Sequence, residues 1–203
     1  MNYTCNFSYK KNKVLFQNEK FDFLENKINI ICGHNGAGKT SLLKCIGGIY
    51  THKNSLDSTW YVGANGALIQ HFSIAEHLKL LKNEDTGLTY INLFNLEDIK
   101  TKSISKLSTG QKMLCSIIVA LCSNSNTLLL DEPFSPLDPI NADKLFNILK
   151  ECNKTIILTS HDLYLTSQMA DNIYFIKNGK ITFNCKDRIL NSDDLKNNYK
   201  ELA

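Results

Sequence analysis

Gly33-His34-Asn35-Gly36-Ala37-Gly38-Lys39-Thr40 is the stretch that decides the fold of this chain. It has the form G-x-x-x-x-G-K-[ST]. An apolar run, Ile28-Asn29-Ile30-Ile31-Cys32, precedes it; a helix-spaced run, Ser41-Leu42-Leu43-Lys44-Cys45-Ile46, follows and stops at Gly47-Gly48. Glycines let the backbone curl so that successive N–H groups point inward at phosphate oxygens. The helix that follows adds the positive end of its dipole. In such a loop Lys39 reaches the β and γ phosphates of a nucleotide and the Thr40 hydroxyl ligates Mg²⁺. Three of the 10 Gly lie in these eight positions, so a chain sparing with glycine places it where the backbone needs it.

Outward from this loop, Leu128-Leu129-Leu130-Asp131-Glu132 sets an acidic pair at the end of a buried apolar strand. Asp131 there can hold Mg²⁺ near a γ-phosphate. Glu132 points elsewhere, toward an attacking water, where a base or water-orienting group belongs. Pro133-Phe134-Ser135-Pro136-Leu137-Asp138-Pro139 follows at once and holds all 3 Pro of the chain, which reads as a stiff loop. Leu107-Ser108-Thr109-Gly110-Gln111 stands before a buried helix, where Ser108 and Gly110 leave backbone N–H groups for a second anion site. His161 follows the apolar strand 155–158, at a distance from which a γ-phosphate is within reach.

The rest of the chain supplies the frame. Residues 14–23 alternate as a half-buried strand, and 60–62 form a further strand. Residues 73–81 form a helix with Ser73 and Glu76 in capping-box positions, and 82–101 are polar, giving short helices and loops. Residues 113–121 form a buried helix and 140–149 an amphipathic one, while Asn178-Gly179 marks a hairpin between 173–176 and 180–183. Buried strands alternating with helices indicate an α/β fold with a largely parallel core. At 203 residues this is one domain, 1–203. A net charge of +3 gives no basis for a nucleic-acid partner. The 7 Cys form no C-x-x-C pair, which fits buried free thiols in a reducing compartment. No signal peptide opens the chain, and no run approaches the roughly 20 apolar residues a spanning helix needs.

Together the phosphate loop 33–40, the 107–111 segment, the acidic strand 128–132, the Ser135-Pro136-Leu137-Asp138 loop and His161 resemble the ATP-binding cassette (ABC) ATPases. The resemblance implies a P-loop NTPase fold: a RecA-like α/β core, a small antiparallel β part and a helical insert over about 66–113. It implies that ATP is held by Gly33, His34, Asn35, Gly36, Ala37, Gly38, Lys39, Thr40 and Ser41, with Tyr9 stacked on adenine. It implies Mg²⁺ held by Thr40, Asp131 and a loop amide, and hydrolysis by Glu132, His161 and Lys39. The family has Gln at the loop amide; here Asn65 takes the place and keeps the amide on an arm shorter by about 1.5 Å. The implied assembly is a head-to-tail dimer, in which Ser108, Gly110 and Gln111 of one chain close over ATP held by the other.

Within the family the chain looks most like the haem-exporter subunits of cytochrome c maturation (the CcmA type). The shortness of the chain, Val14-Leu15-Phe16, the run 36–43, the Tyr61-Val62-Gly63 segment, Leu107-Ser108-Thr109-Gly110-Gln111 and Asp131-Glu132-Pro133-Phe134 carry that likeness. It implies separate transmembrane permease subunits and a peripheral place on the cytoplasmic face of the inner membrane, or the matrix face in an organelle. His52, His71 and His77 read as solvated or packed, not as haem ligands. Other readings compete: a binding-only module that lost hydrolysis, against which Lys39, Thr40, Glu132 and His161 all speak; another ABC exporter's ATPase; and a soluble ABC ATPase without a transport role. The last of these usually carries paired cassettes or a long coiled coil, absent here.

Overall fold

The computed structural model describes residues 1–10, 13–50, 55–64, 66, 68–186 and 195. In chain order these form β1 (Asn2–Lys10), β2 (Lys13–Asp22), β3 (Ile28–Cys32), α1 (Lys39–Ile46), β4 (Thr59–Val62), α2 (Ile74–Leu81) and α3 (Glu84–Leu93). Two short 3-10 turns lead to α4 (Thr109–Leu121), β5 (Thr127–Asp131), α5 (Pro139–Glu151), β6 (Thr155–Ser160), α6 (Leu163–Met169), β7 (Asn172–Lys177) and β8 (Lys180–Lys186).

Period-two alternation sets the layers. Every residue of β3, β5 and β6 is buried, as a parallel strand covered on both faces requires. Successive side chains point to opposite faces. Ile30, Leu128, Leu130, Ile156 and Leu158 enter one core, with Ile74 of α2, Ile91 of α3, Ile117 of α4 and Leu145 of α5. Ile31, Leu129 and Ile157 enter the other, with Leu42, Leu43 and Ile46 of α1 and Cys5, Phe16 and Phe21 of the β1–β2 ribbon. Burying a side chain such as Leu129 contributes about 1.5–3 kcal/mol.

The main sheet runs β4-β5-β6-β3-β7-β8, with β8 antiparallel to β7 and the rest parallel. Strands β5, β6 and β3 therefore lie side by side, and their carboxyl ends meet at Asp131, Ser160 and Cys32. Ligands in open α/β sheets bind at such ends.

The expected elements recur with informative differences. No strand is expected from the polar residues 1–13, yet Asn2–Lys10 is a strand whose Tyr3 and Cys5 are buried against its partner β2. The α6 helix was equally silent, being short and marked mainly by its cap, Asp162, which accepts from Leu165 N–H at 3.0 Å. The polar stretch 82–101 contains a ten-residue helix, α3. Pro139 lies in a helix, contrary to the expectation of a loop through all three prolines: it opens α5 at the first position, where a missing N–H costs nothing, behind the cap Asp138. Helix α4 begins at Thr109, four residues before the start expected at 113.

Ser73 caps α2 as expected, accepting from Glu76 N–H at 3.3 Å, while Ser73 N–H donates to Glu76 Oε2 at 2.7 Å. That backbone donor holds the Glu76 carboxyl below its usual range. Ser73→Ala is expected to lower the stability of the folded chain by about 1 kcal/mol in urea melts; an unchanged midpoint would show that the cap does not hold α2.

Candidate functional site

The phosphate loop joins β3 to α1. Gly38 stands at the N-cap of α1 with φ 108°, a left-handed conformation that favours glycine. It has no side chain to occupy the first N–H groups of α1. By contrast α2, α4, α5 and α6 are each capped by a side chain, from Ser73, Ser108, Asp138 and Asp162. The first turn of α1 thus keeps donors for an anion. Lys39 is 7% exposed; its ammonium donates to Gly33 O at 2.9 Å and His34 O at 3.3 Å. His34 Nδ1 lies 2.8 Å from Asn35 O, Asn35 and Gly36 are exposed, and Ala37 is buried in the core under the loop.

Asp131 ends β5 and is almost fully buried. The Thr40 hydroxyl lies 2.8 Å from its Oδ2 and 3.1 Å from its Oδ1, Thr159 Oγ1 donates to Oδ1 at 2.8 Å, and Tyr61 O–H reaches Oδ2 at 3.4 Å. Burial and the Asp131 charge push the Tyr61 phenol well above its usual range, so it stays a donor. Thr40 and Asp131 together offer the hard oxygens that Mg²⁺ takes, and the exposed Thr40 gives access; the donor set fits the ion. Asn65 lies outside the described residues. Gln70, the nearest Gln, donates to Leu68 O at 3.1 Å and is tied to Ser103 and Ser105.

Glu132 continues past β5 with φ 50°. Its carboxylate lies 3.6 Å from Lys39 Nζ through Oε1 and 2.9 Å from His161 Nδ1 through Oε2. Three residues read separately in the sequence therefore meet at one carboxylate. A cavity of about 240 Å³ beside them is lined in part by Glu132, Thr159 and His161. Tyr9 is half exposed, its hydroxyl paired with Ser41 on the first turn of α1 and its ring edge-on to Phe7 at 4.9 Å.

Ser108, Gly110 and Gln111 occupy a different place. Ser108 caps α4, and Gln111 Oε1 accepts from Ser108 N–H at 3.0 Å. Gly110 packs so closely on Pro136 that an added Cβ would stand 2.7 Å from its carbonyl oxygen. These residues border an open cleft of about 630 Å³, shared with Leu137 and the 70%-exposed Ile140. The described geometry joins them to the Pro136 loop and not to the phosphate loop.

Thr159 and Tyr61 escaped the sequence reading, because strand register alone brings them to Asp131. His77 is buried, its Nε2 accepting from Ile69 N–H at 3.0 Å and its Nδ1 2.7 Å from Ser73 O, and His71 is exposed; His52 lies outside the described residues. All seven cysteines are free. Burial pushes the Cys115 thiol up to about 12. Among the described residues no helix is long and apolar enough to cross a membrane.

Comparison with known proteins follows the same lines. A family model described as ABC transporter matches residues 16–135. An uncharacterized ABC transporter ATP-binding protein of Methanocaldococcus jannaschii is 31% identical over 193 residues, covering 85% of this chain and 72% of that protein. A solved ATP-binding subunit of an ABC transporter superposes with TM-score 0.86 at 20% identity, covering 99% of this chain and 98% of the other. An ATP-binding cassette solved as a post-hydrolysis dimer with ADP and Pi gives TM-score 0.77 at 21% identity, covering 93% and 99%. Fold, site and sequence similarity agree: the chain belongs to the ABC transporter family and is an ABC ATPase domain, the ATP-binding part of such a transporter.

Proposed function

We propose that this chain hydrolyses MgATP within a head-to-tail dimer and that the cycle drives separate membrane-spanning subunits. The observation that carries the reading is the meeting of Lys39, Glu132 and His161 beside the Thr40–Asp131 pair. The phosphates of ATP would take the place of the Gly33 and His34 carbonyls at Lys39, with the free N–H groups of α1 around them. Mg²⁺, when bound, spreads the charge of the transferred phosphate; Thr40 and Asp131 are the residues that would hold it, with Asn65 proposed as the third.

Glu132 orients a water against the γ-phosphorus and accepts its proton. The water oxygen bonds to phosphorus while the bond to the bridging oxygen of ADP breaks. His161 steadies Glu132 on one side, and Lys39 carries positive charge on the other. Tyr9 supplies an exposed ring next to α1 for the adenine.

The dimer is supported by the separation of two helix starts in one chain, the uncapped start of α1 and the Ser108-capped start of α4, which face different places. The start of α4 opens on the cleft beside Pro136. In the dimer Ser108, Gly110 and Gln111 would face the partner's ATP. One structural neighbour was solved as a dimer in a post-hydrolysis state with ADP and Pi. The haem-export reading rests on the likeness of residues 14–16, 36–43, 61–63, 107–111 and 131–134 to those subunits. It adds a peripheral position on the cytoplasmic (or matrix) face and a permease partner.

Three tests follow from these placements. Lys39→Ala is expected to weaken ATP binding at least about tenfold by calorimetry; unchanged affinity would remove the assigned phosphate loop. Glu132→Gln is expected to keep MgATP, to lose about 10²–10⁴-fold in turnover and to elute as a dimer; a monomer with ATP bound would sink the sandwich. Pull-down of the tagged chain from detergent-solubilised membranes is expected to recover integral membrane subunits of a haem exporter. Subunits of another transporter would overturn the cargo alone, and recovery of ribosomes or no membrane protein would overturn the transport role.

A further inference from the structure

Thr159 carries a role that the reading of the nucleotide site does not use. It is fully buried in β6, paired in register with Asp131 on the neighbouring strand β5. Paired residues of adjacent parallel strands point to the same face, so its hydroxyl stands beside the Asp131 carboxylate. It donates to Asp131 Oδ1 at 2.8 Å and accepts from Glu132 N–H at 2.9 Å. One hydroxyl thus spends its single proton on the metal-type carboxylate and a lone pair on the backbone of the next residue.

That backbone is unusual. Glu132 has φ 50°, in the left-handed region where a residue with a Cβ is held only by its surroundings. The left-handed turn directs the Glu132 carboxylate away from the strand, toward Lys39 and His161. The hydrogen bond from Glu132 N–H to Thr159 is the contact that fixes the turn at its first atom. When Thr40 turns its hydroxyl to a metal, Asp131 keeps Thr159 and Tyr61 as donors, and Thr159 is the nearer at 2.8 Å against 3.4 Å.

We propose that Thr159 is a positioning residue that sets Asp131 and Glu132 together, so that the metal-holding carboxylate and the water-orienting carboxylate are aligned by one hydroxyl. This rests on the ATPase reading for its consequence, but not for its geometry.

The test compares Thr159→Val, which keeps the shape and loses the hydroxyl, with Thr159→Ser, which keeps the hydroxyl. In the purified chain Val is expected to lower kcat at least about tenfold with KM for MgATP within about twofold, and Ser to return kcat to within about twofold of wild type. In nucleotide-free, metal-free protein, exchange of the Glu132 amide hydrogen is expected to quicken at least about tenfold in Val and to be restored in Ser. Wild-type kcat in Val, Ser as slow as Val, or unchanged amide exchange would each overturn the proposal. If Val does not fold, Thr159→Cys takes its place, with a thiol too weak to hold both partners; the same losses are expected and wild-type values would overturn it. If wild-type protein itself releases no phosphate, the ATPase reading fails, while the exchange comparison still judges Thr159 by itself.

Discussion

A carboxylate buried at the carboxyl end of an apolar strand must be surrounded by donors, and Asp131 is such a group. Leaving it without partners would cost several kcal/mol. Its partners come from three elements: Thr40 on α1, Thr159 on β6 and Tyr61 on β4. This requires β4 and β6 to flank β5, and α1 to cross the same face. The sheet order is thus tied to one negative charge. The same requirement holds the two halves of the chain together, because Thr40 and Asp131 lie on opposite sides of α2, α3 and α4 in sequence.

Much of this frame was legible because local chemistry and global position agree. The phosphate loop needs glycine where φ turns positive, and Gly36 and Gly38 are there. Leu128, Leu129 and Leu130 announce a strand buried on both faces because each face has its own core to fill. What stayed illegible is what register decides. Nothing around Thr159 in the sequence says that it pairs with Asp131, since the pairing depends on which strands become neighbours. The β1 strand escaped for a related reason. Its inward residues, Tyr3 and Cys5, alternate with polar ones, and only the partner β2 makes the pattern a sheet.

The helix starts show how one physical effect serves two purposes. In α2, α5 and α6 a side chain closes the first turn, from Ser73, Asp138 and Asp162. At Gly38, where the phosphate loop meets α1, no side chain closes the turn; α3 also starts without a side-chain cap, so it is the loop together with the open turn that marks α1. The α4 helix lies between these cases. Ser108 and Gln111 close a capping box in this chain, so a phosphate arriving from a partner would have to compete with an internal arrangement already satisfied. That competition gives the proposed dimer a built-in threshold: the second site engages only an anion presented in the right place.

The tip of the β7–β8 hairpin touches the phosphate loop, with Gly179 N–H donating to Ala37 O at 3.1 Å. The loop is made before α2 to α6, and the β7–β8 hairpin that braces it follows all of them in the chain. During synthesis on a ribosome the nucleotide site would therefore stay unbraced until the hairpin has left the exit tunnel. Nucleotide capture then reports that synthesis has passed the hairpin, so a chain truncated before it would hold ATP poorly, whatever the quality of its motifs.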